Sequence, residues 1–164
     1  MSVISIDKDL DNLSVTLVAS FDAPAEQVWQ LWADPRLLER WWGPPSHPAT
    51  VEEHDLTAGG RVVYYMTSPE GERHYGMWKV DAVEPPASLE FTDAFADADG
   101  NPNDAMPGST ARMQLVEEDG RTRMELRSAF TTREQMDQLL AMGMLEGIQQ
   151  AVGQMDDLLA TAAR

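Results

Sequence analysis

Three histidines, His47, His54 and His74, are the residues of this sequence best suited to bind a metal ion or to transfer a proton near neutral pH. Histidine ligands on a helix commonly stand four residues apart, and no pair here has that spacing. The sequence has no cysteine, so it offers no thiolate ligand, thiol nucleophile or disulfide. We therefore expect no metal site and no cofactor.

The loop at residues 96–108 carries Asp97, Asp99 and Asn101 at alternate positions, as calcium-binding loops do. Counted from Asp97, however, the glycine is fourth rather than sixth, and the twelfth residue is Gly108 instead of glutamate. The sequence therefore predicts a solvated turn and not an EF-hand loop.

Four polar residues fall on the predicted inward faces of strands and could take part in catalysis: His74, Tyr64, Asp93 and Ser128. Their spacing matches no catalytic motif, and inward tyrosines and histidines more often serve as hydrogen-bonded core residues. We assign no catalytic residue, and the sequence favours a binding protein over an enzyme.

Ten methionines are present, and most of the internal ones fall on inward faces. Methionine fills ordinary cores, but together with aromatic residues it also forms the adaptable wall of a small-molecule cavity. The residues expected to line such a cavity are Trp42, Tyr64, Met66, His74, Trp78, Phe91, Met113, Met124, Met144 and Ile148.

The elements that would position these side chains follow from hydrophobic periodicity. Alternation predicts strands at 14–21, 49–56, 61–66, 73–83, 88–95, 109–116 and 121–130, with residues 3–6 as an extension or a frayed edge. Two short helices, 24–33 and 35–42, follow the first strand, and Asp34 is expected to cap the second. One long helix, which Thr131 or Thr132 can cap, runs from about Thr132 to about Ala160. We expect an α+β fold with a curved antiparallel sheet of six to seven strands around that helix.

Two pairs of residues raise questions of packing. Trp41 and Trp42 are neighbours, so a helix turns them about 100° apart; we expect Trp41 to anchor the helix on the sheet and Trp42 to lie nearer the cavity mouth. Gly143 and Gly147 weaken the long helix, and we expect them to leave room for the cavity, the alternative being close packing on the sheet.

The composition limits the partners of the chain. The formal net charge of −16 disfavours nucleic acids and anionic membranes, and no apolar run approaches the length of a membrane span. The N-terminus lacks a signal-peptide pattern, so we expect a cytoplasmic protein. The length suits one domain, residues 1–164. A homodimer is left open.

Several stretches together resemble a known family. FDAPAEQVWQLWADPRLLERWWGP looks like the N-terminal signature of the activator of heat-shock-protein-90 ATPase homologue-like family, and DLTAGGRVVYYM is similar to its second signature. HYGMW, EPPASLEFT and LEGIQQAVGQMDDLL match later segments, although Ile148 stands where many members have tryptophan. The resemblance implies the helix-grip fold of the START/birch-pollen-allergen-like (SRPBCC) superfamily, in which a sheet wraps a C-terminal helix.

The resemblance leaves three functions open, because this superfamily serves many purposes. The first is binding of a small hydrophobic or aromatic ligand in an internal cavity. The second, implied by the family name, is a co-chaperone-like module of the stress response, although nothing in the sequence corresponds to the additional N-terminal domain of such co-chaperones. The third is a cyclase- or hydrolase-like enzyme in which His74 or Tyr64 carries a proton.

Overall fold

The computed structural model describes residues 3–106 and 108–162, and within these ranges eight strands form one antiparallel sheet. The order across the sheet is β1-β2-β8-β7-β6-β5-β4-β3. The strands are β1 Val3–Asp9, β2 Ser14–Phe21, β3 Ala49–His54, β4 Arg61–Thr67, β5 Arg73–Glu84, β6 Ser88–Phe95, β7 Ser109–Glu118 and β8 Arg121–Ala129. The predicted α+β class is confirmed, and the arrangement is that of a helix-grip fold.

The first strand accounts for the difference between the predicted six to seven strands and the eight within the described ranges. Residues 3–9 form a separate edge strand that pairs with β2 rather than extending it. The turn between them is closed by Asp9, whose carboxylate accepts hydrogen bonds from the backbone and side-chain amides of Asn12, and by Leu13 at a φ of 51°. An exposed, polar edge strand lacks the apolar alternation on which the prediction relied.

Two short helices, α1 Ala25–Ala33 and α2 Pro35–Leu38, connect β2 to β3. The carboxylate of Asp34 caps α2 by accepting a hydrogen bond from the backbone N–H of Arg36 at 2.9 Å, as predicted. The helix ends at Leu38, however, and not at Trp42. Both tryptophans lie in the turns that follow, where their backbone N–H groups bond to the carbonyl of Leu38.

The long C-terminal helical segment is present but divided into α3 Arg133–Ala141, α4 Met144–Gly153 and α5 Met155–Ala162. Thr132 caps α3 as predicted, accepting a hydrogen bond from the backbone N–H of Gln135. Gly143 separates α3 from α4 at a φ of +87°, in the left-handed region. The C-terminal segment is helical over the predicted range, but it is interrupted at Gly143, whose left-handed backbone conformation glycine adopts readily.

The main core lies between the sheet and the helices. Alternate residues of each strand point inward, so that Leu17, Trp78, Phe91, Met113 and Met124 are at most 2% exposed. Part of the opposite, outer face is also covered, because the 96–108 loop brings Gly100 against Val63. No helix in the described ranges combines the length and the apolar character needed to cross a membrane.

Candidate functional site

The candidate site begins with Tyr64, which stands directly opposite Gly76 in the β4–β5 register. A Cβ atom at position 76 would lie 2.5 Å from Cζ and Oη of Tyr64, so only glycine lets this ring lie across strand β5. The Tyr64 hydroxyl thereby reaches β6 and donates a hydrogen bond to Oδ1 of Asp93 at 3.1 Å. Two of the four polar candidates from the sequence are thus joined.

Burial controls the ionisation of this pair. Burial raises the pKa of the Asp93 carboxyl from 3.8 to about 7, although the bonds from Tyr64 and from the backbone of Ala94 oppose the rise. The residue as a whole is half-buried and borders a cleft on the outer face. Burial, followed by the charge of Asp93, raises the pKa of Tyr64 well above its usual value. Burial therefore favours the protonated form of this carboxyl more than in an exposed aspartate.

Aromatic rings surround the pair. The ring of Trp78 stacks on Phe91 with centroids 4.1 Å apart, and Trp42 meets Trp78 edge-on at 4.7 Å. Trp32 lies 6.0 Å from Trp42 and 5.9 Å from Trp78. Such contacts each contribute about 0.5–1.5 kcal/mol beyond simple burial. They form an apolar wall along the inner face of β4, β5 and β6.

The wall has an unusual polar feature. Within the described residues, the buried side-chain polar atoms that lack a hydrogen-bond partner are the indole nitrogens of Trp32, Trp42 and Trp78. The indole N–H groups of Trp42 and Trp78 lie near the Tyr64 hydroxyl oxygen, and they counteract part of the rise in the Tyr64 pKa. Neither N–H group meets that oxygen in full hydrogen-bond geometry. A buried donor without a partner costs about 1–3 kcal/mol. Three such donors in one cluster make this wall the candidate site.

Trp41 contrasts with its neighbour. Its ring is fully buried, and its N–H donates to the carbonyl of Leu31 in α1 at 2.8 Å. Trp42 is 8% exposed and packs toward Tyr64 and Trp78. The side-chain amide of Gln154 holds the turn between them, donating to the carbonyl of Gly43 at 2.7 Å. The two rings therefore differ in burial and in hydrogen bonding, with Trp41 bonded to α1. The position of Trp42 near a cavity mouth stays a prediction.

Less buried residues lie at one end of the inner face. Met66 pairs with His74 across β4 and β5; Met66 is half-buried and His74 is exposed. The rings of His47 and His74 lie 6.2 Å apart. Phe95, opposite Gly76, joins the same minor apolar cluster as Met144 of α4. His74 lies two residues before Gly76, the residue that faces Tyr64.

The remaining candidates lie elsewhere. Ser128 on β8 stands opposite Ala111 of β7, two strands from Asp93. The Nε2 atom of His54 makes a hydrogen bond with the backbone carbonyl of Trp32 at 3.1 Å, so this histidine is bonded to α1.

In the parts of the chain that the structure describes, no three His, Asp or Glu side chains are placed to hold a metal ion. Asp97 closes its own loop, accepting from the backbone of Asp99 and Asn101 at 2.9 Å, which confirms the solvated turn.

A cleft of about 630 Å³ lies on the outer face of the sheet, beneath the 96–108 loop. Met77 and Ala94 contribute to its lining, with Lys79 beside them. Arg61 also borders the cleft, but its guanidinium is already paired with Glu53 at 2.9 Å. This cleft was not predicted from the sequence, and its mixed charges do not define a ligand.

Sequence reasoning missed two parts of the inner-face site. Trp32 belongs to the buried apolar face of α1, and its unpartnered N–H depends on the tertiary packing. Gly76 is the second. A glycine within a strand can mark a close approach by another group, and that signal was available in the sequence. The identity of the group, Tyr64, required the strand register.

Comparisons with other proteins agree with this architecture. Residues 22–160 match the model of a family described as Activator of Hsp90 ATPase homolog 1-like protein. The chain is 48% identical to a protein from Mycobacterium smegmatis with a known crystal structure, over 96% of both chains and with a TM-score of 0.88. It is 46% identical to a protein from Arthrobacter aurescens solved by solution NMR, over 98% of this chain and 93% of that one, with a TM-score of 0.93. No curated protein matches the chain.

Proposed function

This chain belongs to the family of Activator of Hsp90 ATPase homolog 1-like proteins, and we propose that it binds a small hydrophobic or aromatic molecule between the sheet and the C-terminal helices. The observation that carries this proposal is the group of unpartnered indole N–H donors of Trp32, Trp42 and Trp78 beside the Tyr64–Asp93 pair. An apolar wall with a few convergent polar groups is the usual composition of a ligand site.

The ten residues expected to line the site fall into two groups by exposure. Trp42, Tyr64, Trp78, Phe91, Met113 and Met124 are buried, whereas Met66, Met144 and Ile148 are half-buried and His74 is exposed. We assign the half-buried and exposed residues to the entrance and the aromatic residues to the binding wall. The indole N–H groups are closed off from solvent, so a ligand reaches them when a ring moves. Trp42, at the edge of the cluster, is the ring best placed to do so.

The proposal is tested with N-phenyl-1-naphthylamine, a neutral dye whose fluorescence increases in apolar surroundings. A neutral probe avoids repulsion by the net charge of −16. We expect saturable binding of one dye per chain. Met66→Glu places a charge at the entrance and should weaken binding at least tenfold. Val116→Glu adds the same charge at a position that is 62% exposed and should bind like wild type.

Two results would contradict ligand binding at this site. One is a fluorescence increase that fails to saturate up to the solubility limit of the dye. The other is equal binding by Met66→Glu and Val116→Glu when circular dichroism shows both variants folded. Native mass spectrometry of the freshly purified protein would complement the titration by identifying any molecule that copurifies.

The Tyr64–Asp93 hydrogen bond also favours the enzyme alternative to a limited degree. A buried carboxyl with a pKa of about 7 is suited to proton transfer. If the site is catalytic, this pair is better placed than the exposed His74 to carry the proton. Incubation with a bound molecule followed by chemical analysis separates the two functions, since a binding protein returns the molecule unchanged. The co-chaperone alternative is supported by the description of the matching family, Activator of Hsp90 ATPase homolog 1-like protein.

A further inference from the structure

We propose that His47, Met66 and His74 form a binding site for a monovalent copper ion, Cu⁺, at the less buried end of the inner face. The proposal does not depend on ligand binding at the aromatic wall. It is carried by the position of these three side chains, which the strand register and one ring contact bring together.

Met66 lies at the centre of the cluster, because β4 runs between β3 and β5. Its register partners are Ala49 on β3 and His74 on β5, so these three side chains share the inner face. Cross-strand partners have Cβ atoms about 4.5–5.5 Å apart. The flexible side chain of methionine spans such a gap, so the sulfur atom of Met66 is within reach of the His74 imidazole.

His47 joins the cluster from the segment that leads into β3. This segment is bonded to β4, because the N–H of Thr67 donates to the carbonyl of Pro48 at 3.0 Å. The ring centres of His47 and His74 are 6.2 Å apart. A metal–nitrogen distance of about 2.0 Å places each ring centre about 3 Å from the ion, so two imidazoles on one ion have centres up to about 6 Å apart. The observed separation corresponds to a nearly linear arrangement of two nitrogens around a shared ion.

Both histidines have ring nitrogens free to bind an ion. Among the described residues, neither ring nitrogen of His74 has a hydrogen-bond or ion-pair partner. Nδ1 of His47 is hydrogen-bonded to the hydroxyl oxygen of Ser46 at 2.8 Å, which leaves Nε2 as the ligand atom. Proteins commonly orient a metal-binding histidine through a hydrogen bond to its second ring nitrogen.

The ligand set selects the ion. No aspartate or glutamate in the described ranges completes a three-residue cluster with the two histidines, so the third ligand is the thioether of Met66. Oxygen ligands suit Mg²⁺, Ca²⁺ and Mn²⁺, whereas soft thioether ligands select Cu⁺. Zn²⁺ is bound by thiolate, imidazole and carboxylate groups rather than by thioethers. The formal net charge of −16 also concentrates cations near the protein surface.

The expectation of no metal site considered histidines at the spacing of ligands on one helix. The proposed cluster instead combines one loop with two neighbouring strands, and one of its ligands is a methionine. Distances along the chain therefore do not reveal it.

NMR of the methionine methyl groups tests the proposal on the unmodified chain. The protein is labelled with ¹³C at the methyl carbons of its ten methionines, and Met66→Leu assigns the Met66 signal. Cu⁺ is added without oxygen and with ascorbate, which keeps the copper reduced; this ion is diamagnetic, so the signals stay observable. We expect one equivalent of Cu⁺ to shift the Met66 signal and to leave that of Met106, an exposed residue of the 96–108 loop, in place. Zn²⁺ should shift the Met66 signal much less.

Competition with the chromogenic Cu⁺ chelator ferrozine measures the affinity. Loss of an outer-shell partner of a metal typically lowers affinity about 10–100-fold, so removal of a ligand atom should weaken binding at least about tenfold. We expect that loss in His74→Gln and in Met66→Leu, which removes the sulfur atom at nearly constant side-chain volume. Met106→Leu is the matched control and should bind Cu⁺ like wild type.

Three results would overturn the copper site. The first is a Met66 signal that one equivalent of Cu⁺ leaves unmoved. The second is equal Cu⁺ affinity of wild type and Met66→Leu, because the ion would then be held without the thioether. The third is an equal shift of the Met66 signal by Zn²⁺, which would reject the assignment to copper. Dye binding at the aromatic wall is measured without metal, so each proposal can fail while the other stands.

Discussion

Gly76→Ala is the substitution whose effect follows most directly from the geometry of the site. The added Cβ would lie 2.5 Å from Cζ and Oη of Tyr64 and 2.9 Å from Cε2. Ordinary contact requires about 3.5–4.0 Å, so the ring must shift by about 1 Å. A shift of that size in the Tyr64 hydroxyl breaks its 3.1 Å bond to Asp93.

The expected cost combines three effects. Overpacking costs about 1–3 kcal/mol, and loss of the hydrogen bond costs about 0.5–1.5 kcal/mol. Replacing a glycine inside a strand returns about 0.5–1 kcal/mol through reduced chain entropy. The free energy of unfolding should therefore fall by about 1–3 kcal/mol, which corresponds to a melting temperature lower by about 2–4 °C for each kcal/mol.

Urea denaturation of wild type and Gly76→Ala measures this change. Gly147→Ala is the matched control, because nothing lies within 4 Å of a Cβ at that helical position; it should stabilise the protein by about 0.5–1 kcal/mol. In a Tyr64→Val background the Gly76→Ala change should cost much less, since the ring is gone. A Gly76→Ala protein as stable as wild type would refute the close approach.

Three further predictions concern neighbouring residues. Trp41→Phe should cost about 1–2 kcal/mol through the lost bond to the Leu31 carbonyl, in addition to the lost packing. Trp42→Phe should cost less than Trp41→Phe, because removal of an unpartnered N–H offsets part of the lost packing; equal losses in thermal melts would contradict this difference. Gly143→Ala should destabilise by about 1 kcal/mol because of its φ of +87°, measured by calorimetry, and no loss would count against the left-handed break. Asp93 has a pKa raised from 3.8 to about 7, so its stabilising contribution is present below pH 4 and is lost as the pH rises through 7. Relative to Asp93→Asn, the wild-type free energy of unfolding should fall by about 2–4 kcal/mol between pH 4 and pH 8, and parallel pH profiles would contradict the burial.

The strands and caps that could be predicted are those encoded by local pattern. The alternation of Val15, Leu17, Ala19 and Phe21 identified β2 because one face of that strand is buried. Asp34 identified the start of α2 because an aspartate before a proline satisfies the free N–H groups of a helix. The edge strand β1 lacked such a pattern, so the sequence left residues 3–6 as either an extension of β2 or a frayed edge.

Other features depend on contacts between distant residues. A glycine in an amphipathic helix lowers the stability of the helix, but the sequence does not show why the glycine is there. Gly143 was expected to leave room for a cavity, whereas in the structure it adopts a left-handed conformation. At Gly147 a Cβ would meet nothing within 4 Å, which excludes the close packing considered as the alternative. The Tyr64–Asp93 bond joins residues 29 positions apart across an intervening strand. Both residues could be placed on the inward face from the sequence, but their contact required the register and Gly76.

The most direct test of ligand binding at the aromatic wall is the NMR spectrum of the indole N–H groups. The chain has five tryptophans, and single Trp→Phe variants assign their Nε1–H signals. On titration with 2-acetylnaphthalene, the signals of Trp42 and Trp78 should shift strongly and saturably, because their donors gain an acceptor. The signal of Trp41 should stay in place, since its N–H is bonded to Leu31 at 2.8 Å. Shifts confined to other parts of the protein, with the Trp42 and Trp78 signals unchanged, would contradict the account.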